Sequence, residues 1–412
     1  MGGSHAHPLV RSRAFLEAEA RLDPAIEPLG PAPDGGGPLL LTGATGFIGA
    51  LLLQALSRTR PMVCLVRARD GGEARTRLDA AARRWGLPAI HPGVEVLPGD
   101  LGRPGLGVDV PAWERLAHEI EGIVHYAATG AWFAPYERVA DVDVGSVREV
   151  LRLATTGRPK CVHYAGSLAS WASLAVPAGS RIPESTRLEN PDTLLGGYCQ
   201  GKWVAEALLA EAGRRGVPVA VHRLGDVKGD SRTGRGNTED FGHRLVAACL
   251  RMGAAPDLPA YRVHYLPVDE VAATVTALVN HPEAPGHTFQ LANPEVATWS
   301  ELVDVARSRG WRLRSMSRDA WADLARADPA CREVLPVFRQ LRLEPGTPPT
   351  SFLDVGIRLY THTHGTDNTE RLLGHSGVRR GLALRDGFLD RMIASSSSSS
   401  PLSVRAPRWL IR

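Results

Sequence analysis

The sequence predicts an α/β fold, a doubly wound parallel sheet of Rossmann type followed by a smaller, mostly helical C-terminal part. Three observations carry this. An apolar run, Pro38 to Leu41, enters the glycine-rich stretch Thr42 to Gly49 (TGATGFIG), and a helix-period run (Ile48, Leu51, Leu52, Ala55, Leu56) leaves it, which reads as strand, glycine turn, helix. Apolar strand-like runs then alternate with helical stretches as far as Leu224. Beyond about Gly229 helical candidates dominate, and one strand-like segment, His287 to Ala292 (HTFQLA), is expected to return to the main sheet. The expected divisions are an N-terminal helix and linker (1–37), a dinucleotide-binding domain (38–240), a mainly helical domain (241–394) and a serine-rich disordered tail (395–412).

Taken in order, Phe15, Ala18 and Leu22 have helical spacing within 13–27, ahead of a Pro/Gly-rich linker to Gly37; a docking helix and a frayed terminus both fit. In the glycine turn, Gly43 permits the tight bend, Gly46 lets a pyrophosphate approach the backbone, and Gly49 lets helix pack close to strand. The helix N-terminus then offers free N–H groups to an anion, so Gly43, Thr45, Gly46, Phe47, Ile48 and Gly49 are candidate cofactor contacts. A second strand, Met62 to Val66, ends in Arg67. NAD-preferring sites place a carboxylate near this strand end for the ribose 2′-hydroxyl; a guanidinium suits a 2′-phosphate, so NADPH is expected over NADH. Arg77 is a second candidate phosphate clamp, or a solvated arginine on a charged helix.

Val94 to Leu97 makes a third strand, after which Asp100 can accept from the adenine amino group while Leu101 packs on the ring; an exposed turn aspartate is the competing reading. Ile120 to His125 makes a fourth, leading into Ala127 and Ala128, small residues where a cofactor backbone must pass. His125 reads as a packed strand-end histidine. Val147 to Ala154 is helical, Lys160 to Ser167 is a fifth strand ending in Ser167, and Pro218 to His222 is a sixth, with Leu224 and Val227 at and beyond its end as the last cofactor candidates. Between them, Tyr198 and Lys202 are four apart, on one helix face and one turn from each other. Gly229 to Asp240 reads as a loop over a site. Helical candidates follow at 245–250, 271–279, 302–306, 321–327 and 386–393, with Thr298 to Glu301 as a capping box.

A tyrosine hydroxyl, with an ordinary pKa of about 10, needs a nearby cation to work as an acid near neutrality. Lys202 is placed to lower it and to hold a nicotinamide ribose, and Ser167 on the neighbouring strand end can donate to the same substrate oxygen. Ser167, Tyr198 and Lys202 are therefore the candidate catalytic residues. Cys199 beside Tyr198 invites a covalent mechanism, but a helix turns adjacent residues about 100° apart and nothing nearby lowers the thiol pKa. His362 and His364 with Asp367 suggest a metal, yet lack a second ligand pair, so no metal is expected.

The chain of 412 residues is long enough for two or three domains. Its formal charge of +4, with both signs interspersed, indicates neither a nucleic-acid surface nor a polybasic membrane patch. Five scattered cysteines without a CxxC pair read as free thiols in a reducing compartment. No stretch approaches the roughly 18 to 20 apolar residues that span a bilayer, and no signal-peptide core is present, so a soluble cytoplasmic protein is expected.

With these residues in place, the sequence resembles the extended short-chain dehydrogenase/reductases. Within them LTGATGFIGA, CLVRA, GDL, PYERV, GYCQGKWVAE, GDSRTG and LPVDEVA resemble thioester reductase domains, as found in nonribosomal peptide synthetases and carboxylic acid reductases; the likeness covers roughly residues 13 to 395. It implies a Rossmann domain joined to a helical substrate domain, NADPH as hydride donor, and an acyl thioester on a carrier protein's phosphopantetheine arm, reduced to an aldehyde and onward to an alcohol. Ser167 and Tyr198 would polarise the carbonyl, and Lys202 would orient the ribose. The chain departs from the pattern at Gly166, where the family has serine ahead of a second hydroxyl, at Asp143 and Ala131 in place of asparagines, at Gly201 for serine and at Leu224 for proline. A carboxylate at Asp143 is expected to disturb a proton relay. A fatty acyl reductase is the nearest rival. A nucleotide-sugar epimerase or dehydratase favours NAD, against Arg67; a non-enzymatic dinucleotide sensor would have lost Tyr198 or Lys202.

Overall fold

The structure is a computed structural model that describes residues 7–399 apart from 32–35, 174–175, 188, 190, 294–295, 343–348 and 375–386. Seven strands, Leu39–Thr42 (β1), Met62–Arg67 (β2), Glu95–Gly99 (β3), Gly122–His125 (β4), Cys161–Ser167 (β5), Val219–Leu224 (β6) and Thr288–Leu291 (β7), form one sheet in the order β7-β6-β5-β4-β1-β2-β3. Every pairing in it is parallel. The order reverses between β1 and β4, and the crevice at such a reversal is where doubly wound sheets bind ligands.

Helix α1 (Arg13–Glu19) precedes the sheet, and the crossovers carry α2 (Phe47–Leu56), α3 (Gly71–Trp85), α4 (Val110–Glu119), α5 (Ser146–Ala154) and α6 (Gly197–Arg214). Later come α7 (Phe241–Met252), α8 (Val268–Val279), α9 (Trp299–Ser308), α10 (Arg318–Ala327), α11 (Phe352–Leu359), α12 (Asp367–Leu373) and α13 (Leu389–Ser399). One apolar core lies between the sheet and α2, α3 and α8; a second lies between the other face and α4, α5 and α6. A third core gathers Leu245, Trp299, Trp321, Phe338, Phe388 and Met392 from the C-terminal helices. Trp321 is fully buried there, its indole N–H donating to Ala254 O at 2.9 Å. Among the described residues no helix is long and apolar enough to cross a membrane.

Three expectations need correction. The segment 287–292 does rejoin the sheet, as β7 beside β6, but α8 returns with it, so 268–291 belongs to the dinucleotide-binding layers rather than to the helical domain. A strand added in parallel needs a crossover, and α8 is that crossover. The N-terminal helix stops at Glu19, one turn short of the stop expected at Asp23-Pro24, and Arg215 takes the carbonyls of Asp23 and Ile26 beyond it. The last helix runs on to Ser399, into the serine run expected to be tail; residues 400–412 lie outside the described ones. The capping box at α9 forms as read, with Thr298 accepting from Glu301 N at 3.2 Å and the Glu301 carboxylate accepting from Thr298 N at 2.7 Å.

Of the two readings of α1, docking holds: Leu16 is fully buried in the core beside α6, and Tyr136 donates to the Glu19 carboxylate at 3.1 Å. Leu16→Ala is expected to lower unfolding stability by about 2–5 kcal/mol in a denaturant titration. An unchanged midpoint would mean that α1 is a frayed end.

Candidate active site at the C-terminal edge of the sheet

The glycine turn fits a dinucleotide by its backbone. Gly43 has φ +80°, and a Cβ there would stand 2.6 Å from Ala127 N. A Cβ at Gly49 would stand 2.2 Å from Gly43 O, so only glycine lets α2 pack this tightly on the turn. Gly46 is the N-cap of α2 and supplies no side-chain cap, which leaves the first-turn N–H groups for a phosphate. Ile48 is half-buried behind the turn and Ala128 is exposed beside it.

Trp85, which the sequence reading missed, props the turn from α3. Its indole N–H donates to Thr45 O at 3.2 Å, and its ring lies 5.1 Å from that of Phe47. Arg67 is exposed at the end of β2, in register with Gly99, and Arg77 is exposed on α3. Asp70, the first carboxylate after β2, is committed to capping α3 by accepting from Glu73 N at 2.8 Å. Asp100 accepts from Gly102 N at 3.1 Å and pairs with Arg103 at 3.7 Å, so it supports its own turn, while Leu101 packs half-buried on the core. Leu224 is buried at the end of β6. Val227, half-buried, stands in register with Leu266 in a short parallel pair.

Ser167 ends β5 in register with Leu224. Its hydroxyl accepts from Ala169 N at 3.1 Å and lies near enough to the Tyr198 phenol to act on its pKa. Lys202, 2% exposed, donates to Ala165 O at 2.6 Å and to the Tyr164 hydroxyl at 3.2 Å, and lies 5.8 Å from the centroid of the Tyr198 ring. Tyr164 is an addition to the set: only the packing of α6 on β5 brings it to the ammonium.

The lowering of the phenol pKa expected from Lys202 does not hold. Burial pushes the Tyr198 hydroxyl above its ordinary range, the bond with Ser167 works against that, and the Asp143 carboxylate pushes the same way as burial. Lys202, buried in turn, is itself held below the usual lysine range despite Asp143 and Glu206 nearby.

The departures from the family pattern have partners. A Cβ at Gly166 would sit 3.0 Å from Glu206 Oε1; the glycine leaves room for the buried Glu206–Arg223 ion pair at 2.9 Å. A Cβ at Gly201 would lie 3.4 Å from Asp143 Cβ, so these two departures face each other. Asp143, 2% exposed, accepts from Thr129 N at 2.7 Å and Thr129 Oγ1 at 2.8 Å, fixing the loop after β4. Ala131 lies on that loop, its N–H donating to Thr129 Oγ1 at 3.4 Å. The loop carries Trp132, 40% exposed, whose ring covers Tyr198 at 4.5 Å, and Phe133, edge-on to Phe352 of α11 at 4.8 Å.

Other candidates fall away from the site. Burial pushes the Cys199 thiol up to about 12, which keeps it protonated. His125 is packed, with Thr42 Oγ1 at 2.7 Å on one ring nitrogen and Ser146 Oγ at 3.0 Å on the other. Asp367 pairs with Arg181 at the surface, and His362 and His364 line a cavity. Among the described residues no three His, Cys, Asp or Glu side chains converge as metal ligands.

A glycine cradle for a dinucleotide and a Ser–Tyr–Lys set on the facing strand and helix define the class, a nicotinamide-dependent oxidoreductase of the extended short-chain type. An NAD-binding family model described as Male sterility protein matches residues 41–275. The terminal R domain of the myxalamid PKS-NRPS biosynthetic pathway superposes with a TM-score of 0.81 at 34% identity, over 93% of this chain and 96% of that one. The glycine betaine reductase ATRR of Emericella nidulans is 35% identical over 77% of this chain, and the nonribosomal peptide synthetase asaC of Aspergillus flavus 31% over 85%. This chain spans 25% and 36% of those two proteins. UDP-glucuronic acid 4-epimerase from Bacillus cereus, at 14% identity and TM-score 0.59, shares the fold alone. The chain belongs to the male sterility protein family of extended short-chain dehydrogenase/reductases and, within it, to the reductase domains of nonribosomal peptide synthetases.

Because burial raises Tyr198, a phenolate titration is expected to show no step from this residue at or below the ordinary value of about 10. The wild-type minus Tyr198→Phe difference in ultraviolet phenolate absorbance measures it; a step below that value would reverse the sign.

Proposed function

We propose that the protein uses NADPH to reduce an acyl or peptidyl thioester, presented on the phosphopantetheine arm of a carrier protein, to the aldehyde, with a second round giving the alcohol. The observation that carries this reading is the placement of Ser167 at the end of β5, level with Leu224, with the Tyr198 ring on α6 and Lys202 one turn behind it, bonded to Ala165 O of the same strand. The similarity to a terminal R domain and to a nonribosomal peptide synthetase supports a carrier-bound substrate. The exposed Arg67, with Asp70 committed elsewhere, supports a 2′-phosphate.

When bound, the reduced nicotinamide supplies the hydride that converts the thioester carbonyl carbon to a tetrahedral centre. Ser167 and Tyr198 donate hydrogen bonds to the carbonyl oxygen, and the charge developing there strengthens both. Tyr198 passes its proton to that oxygen, giving a thiohemiacetal. The C–S bond then breaks, the pantetheine thiol leaves with a proton, and the aldehyde remains. Lys202 places its positive charge near the phenolate left behind and, on the family pattern, holds the nicotinamide ribose. A phenol with a raised pKa is a weak acid in isolation, so its proton is expected to move only as negative charge builds on the oxygen it faces.

Tyr198→Phe is expected to lower kcat by roughly 10²- to 10⁴-fold with carrier-bound or pantetheine thioesters while NADPH binding stays nearly intact. Unchanged turnover would remove the proposed acid. Arg67→Ala is expected to weaken NADPH binding about tenfold or more and NADH binding little, as titrated by nucleotide fluorescence. Equal loss for both would refute the 2′-phosphate contact.

A further inference from the structure

The loop after β4 is tied at both ends and bare at its tip. Thr129 is held by the Asp143 carboxylate, and Ala134 O accepts from Gly197 N of α6 at 2.7 Å. Between the ties, Gly130 turns the chain with φ +63°, and Trp132 N donates to Gly130 O at 3.0 Å. The tip so made, Gly130 to Pro135, holds no charged side chain. It presents Trp132 and Phe133, 40% and 39% exposed, and among the described residues these are the only exposed large apolar side chains that are neighbours in the chain. Single apolar side chains at a surface are ordinary, whereas adjoining rings left to water mark a place of contact.

That contact has a defined place. One face of the Trp132 ring covers the Tyr198 ring, with centroids 4.5 Å apart and planes 30° from parallel, so the other face and the ring edge are what water meets. The backbone of the tip is held close to the start of α6, since a Cβ on Gly196 would stand 2.3 Å from Trp132 O. Phe133 packs edge-on to Phe352 of α11, which sets the tip between the helix that bears Tyr198 and the C-terminal helices. The indole N–H of Trp132 meets no acceptor among the described residues, unlike those of Trp299 and Trp321, which donate to carbonyls at 2.8 and 2.9 Å. An uncharged tip with an apolar ring and one open N–H suits a neutral chain bearing a carbonyl acceptor, not an ion. The first amide of a pantetheine arm lies four bonds from the thioester carbonyl carbon, roughly 5 Å at the reach of an extended chain. That is the scale of the 4.5 Å between the two rings.

We propose that Trp132 seats the pantetheine arm: the carbonyl oxygen of the arm's first amide accepts from the indole N–H, the two methylenes between that amide and the sulfur lie against the ring, and the thioester carbonyl is thereby held at Ser167 and Tyr198. The proposal rests on the thioester reductase reading and names a residue that selects the arm. The probes are thioesters of one acyl group on N-acetylcysteamine and on pentanethiol, chains of equal length that differ in the amide, with the pantetheine thioester of the same acyl group as reference. NADPH oxidation is followed with the wild type, Trp132→Ala and Trp132→Phe. The wild type is expected to show kcat/KM about five- to tenfold higher for the N-acetylcysteamine thioester than for the pentanethiol one, chiefly through KM, the scale of one hydrogen bond. Both variants remove the N–H and are expected to bring that ratio close to one; Trp132→Phe keeps a ring on Tyr198, so its ratio reports the hydrogen bond apart from the cover. A merely structural loss lowers kcat/KM for both probes alike and leaves the ratio in place. A wild-type ratio of one, or a ratio that either variant leaves in place, overturns the assignment of Trp132 and leaves the reductase reading standing. Failure to oxidise NADPH even with the pantetheine thioester overturns the reductase reading, and this proposal with it.

Discussion

The close approach of α6 to β5 is the constraint on which the site depends. The hydrogen bond from Lys202 Nζ to Ala165 O, made out of water's reach, ties the first turns of the helix to the strand that ends in Ser167. With that distance set, the half-buried Tyr198 is brought near Ser167. Glycine also lets the loop after β4 close on the start of α6 where a side chain would not fit. A Cβ at Gly197 would stand 2.7 Å from Pro135 O, and one at Gly196 would stand 2.3 Å from Trp132 O. The helix is consequently buried along most of its first three turns, by the sheet, by α5 and by α1. An ammonium in such a place needs negative charge nearby, and Asp143 and Glu206 provide it.

Those two carboxylates also explain why the chain departs from its family's pattern in pairs. Glu206 of α6 pairs with Arg223 of β6, and the space it takes is the space a side chain on residue 166 would need. Asp143 takes two hydrogen bonds from Thr129 and lies opposite Gly201, where a Cβ would come into contact with its own at 3.4 Å. A carboxylate satisfied twice by one threonine is already engaged. Its effect is to fix the loop that lays Trp132 on Tyr198, while its charge also pushes the Tyr198 hydroxyl up.

What was legible in the sequence was local. The glycine turn, the strands that flank it, the i,i+4 spacing of Tyr198 and Lys202 and the capping box at Thr298 each lie within a few residues, and their physics needs no distant partner. Trp85, Tyr164 and Trp132 were not legible, because each matters only through a contact made by tertiary packing: the indole N–H on Thr45 O, the hydroxyl on Lys202, the ring on Tyr198. The sign of the Tyr198 shift failed for the same reason. Spacing along a helix brings a cation near, but depth of burial decides the balance, and depth is a property of the assembled layers. The cavity lined by His362 and His364 belongs to this second kind as well, since its walls come from segments around 264–274, 290–293 and 362–373.

On the proposed reading, charge is sorted along the C-terminal edge of the sheet. Arg67 and Arg77 lie at the β2 end, where a phosphorylated ribose would sit, and the α2 N-terminus next to them adds its partial positive charge. An anionic cofactor therefore has one favourable way to lie along the edge, with its phosphates toward β2. That orientation brings the nicotinamide and the thioester carbonyl together in the middle, above β4 and β5, where Ser167 and Tyr198 wait with no charged side chain of their own. The reacting atoms then meet a pair of neutral donors in a buried setting, which is the arrangement that favours charge appearing only as the hydride moves.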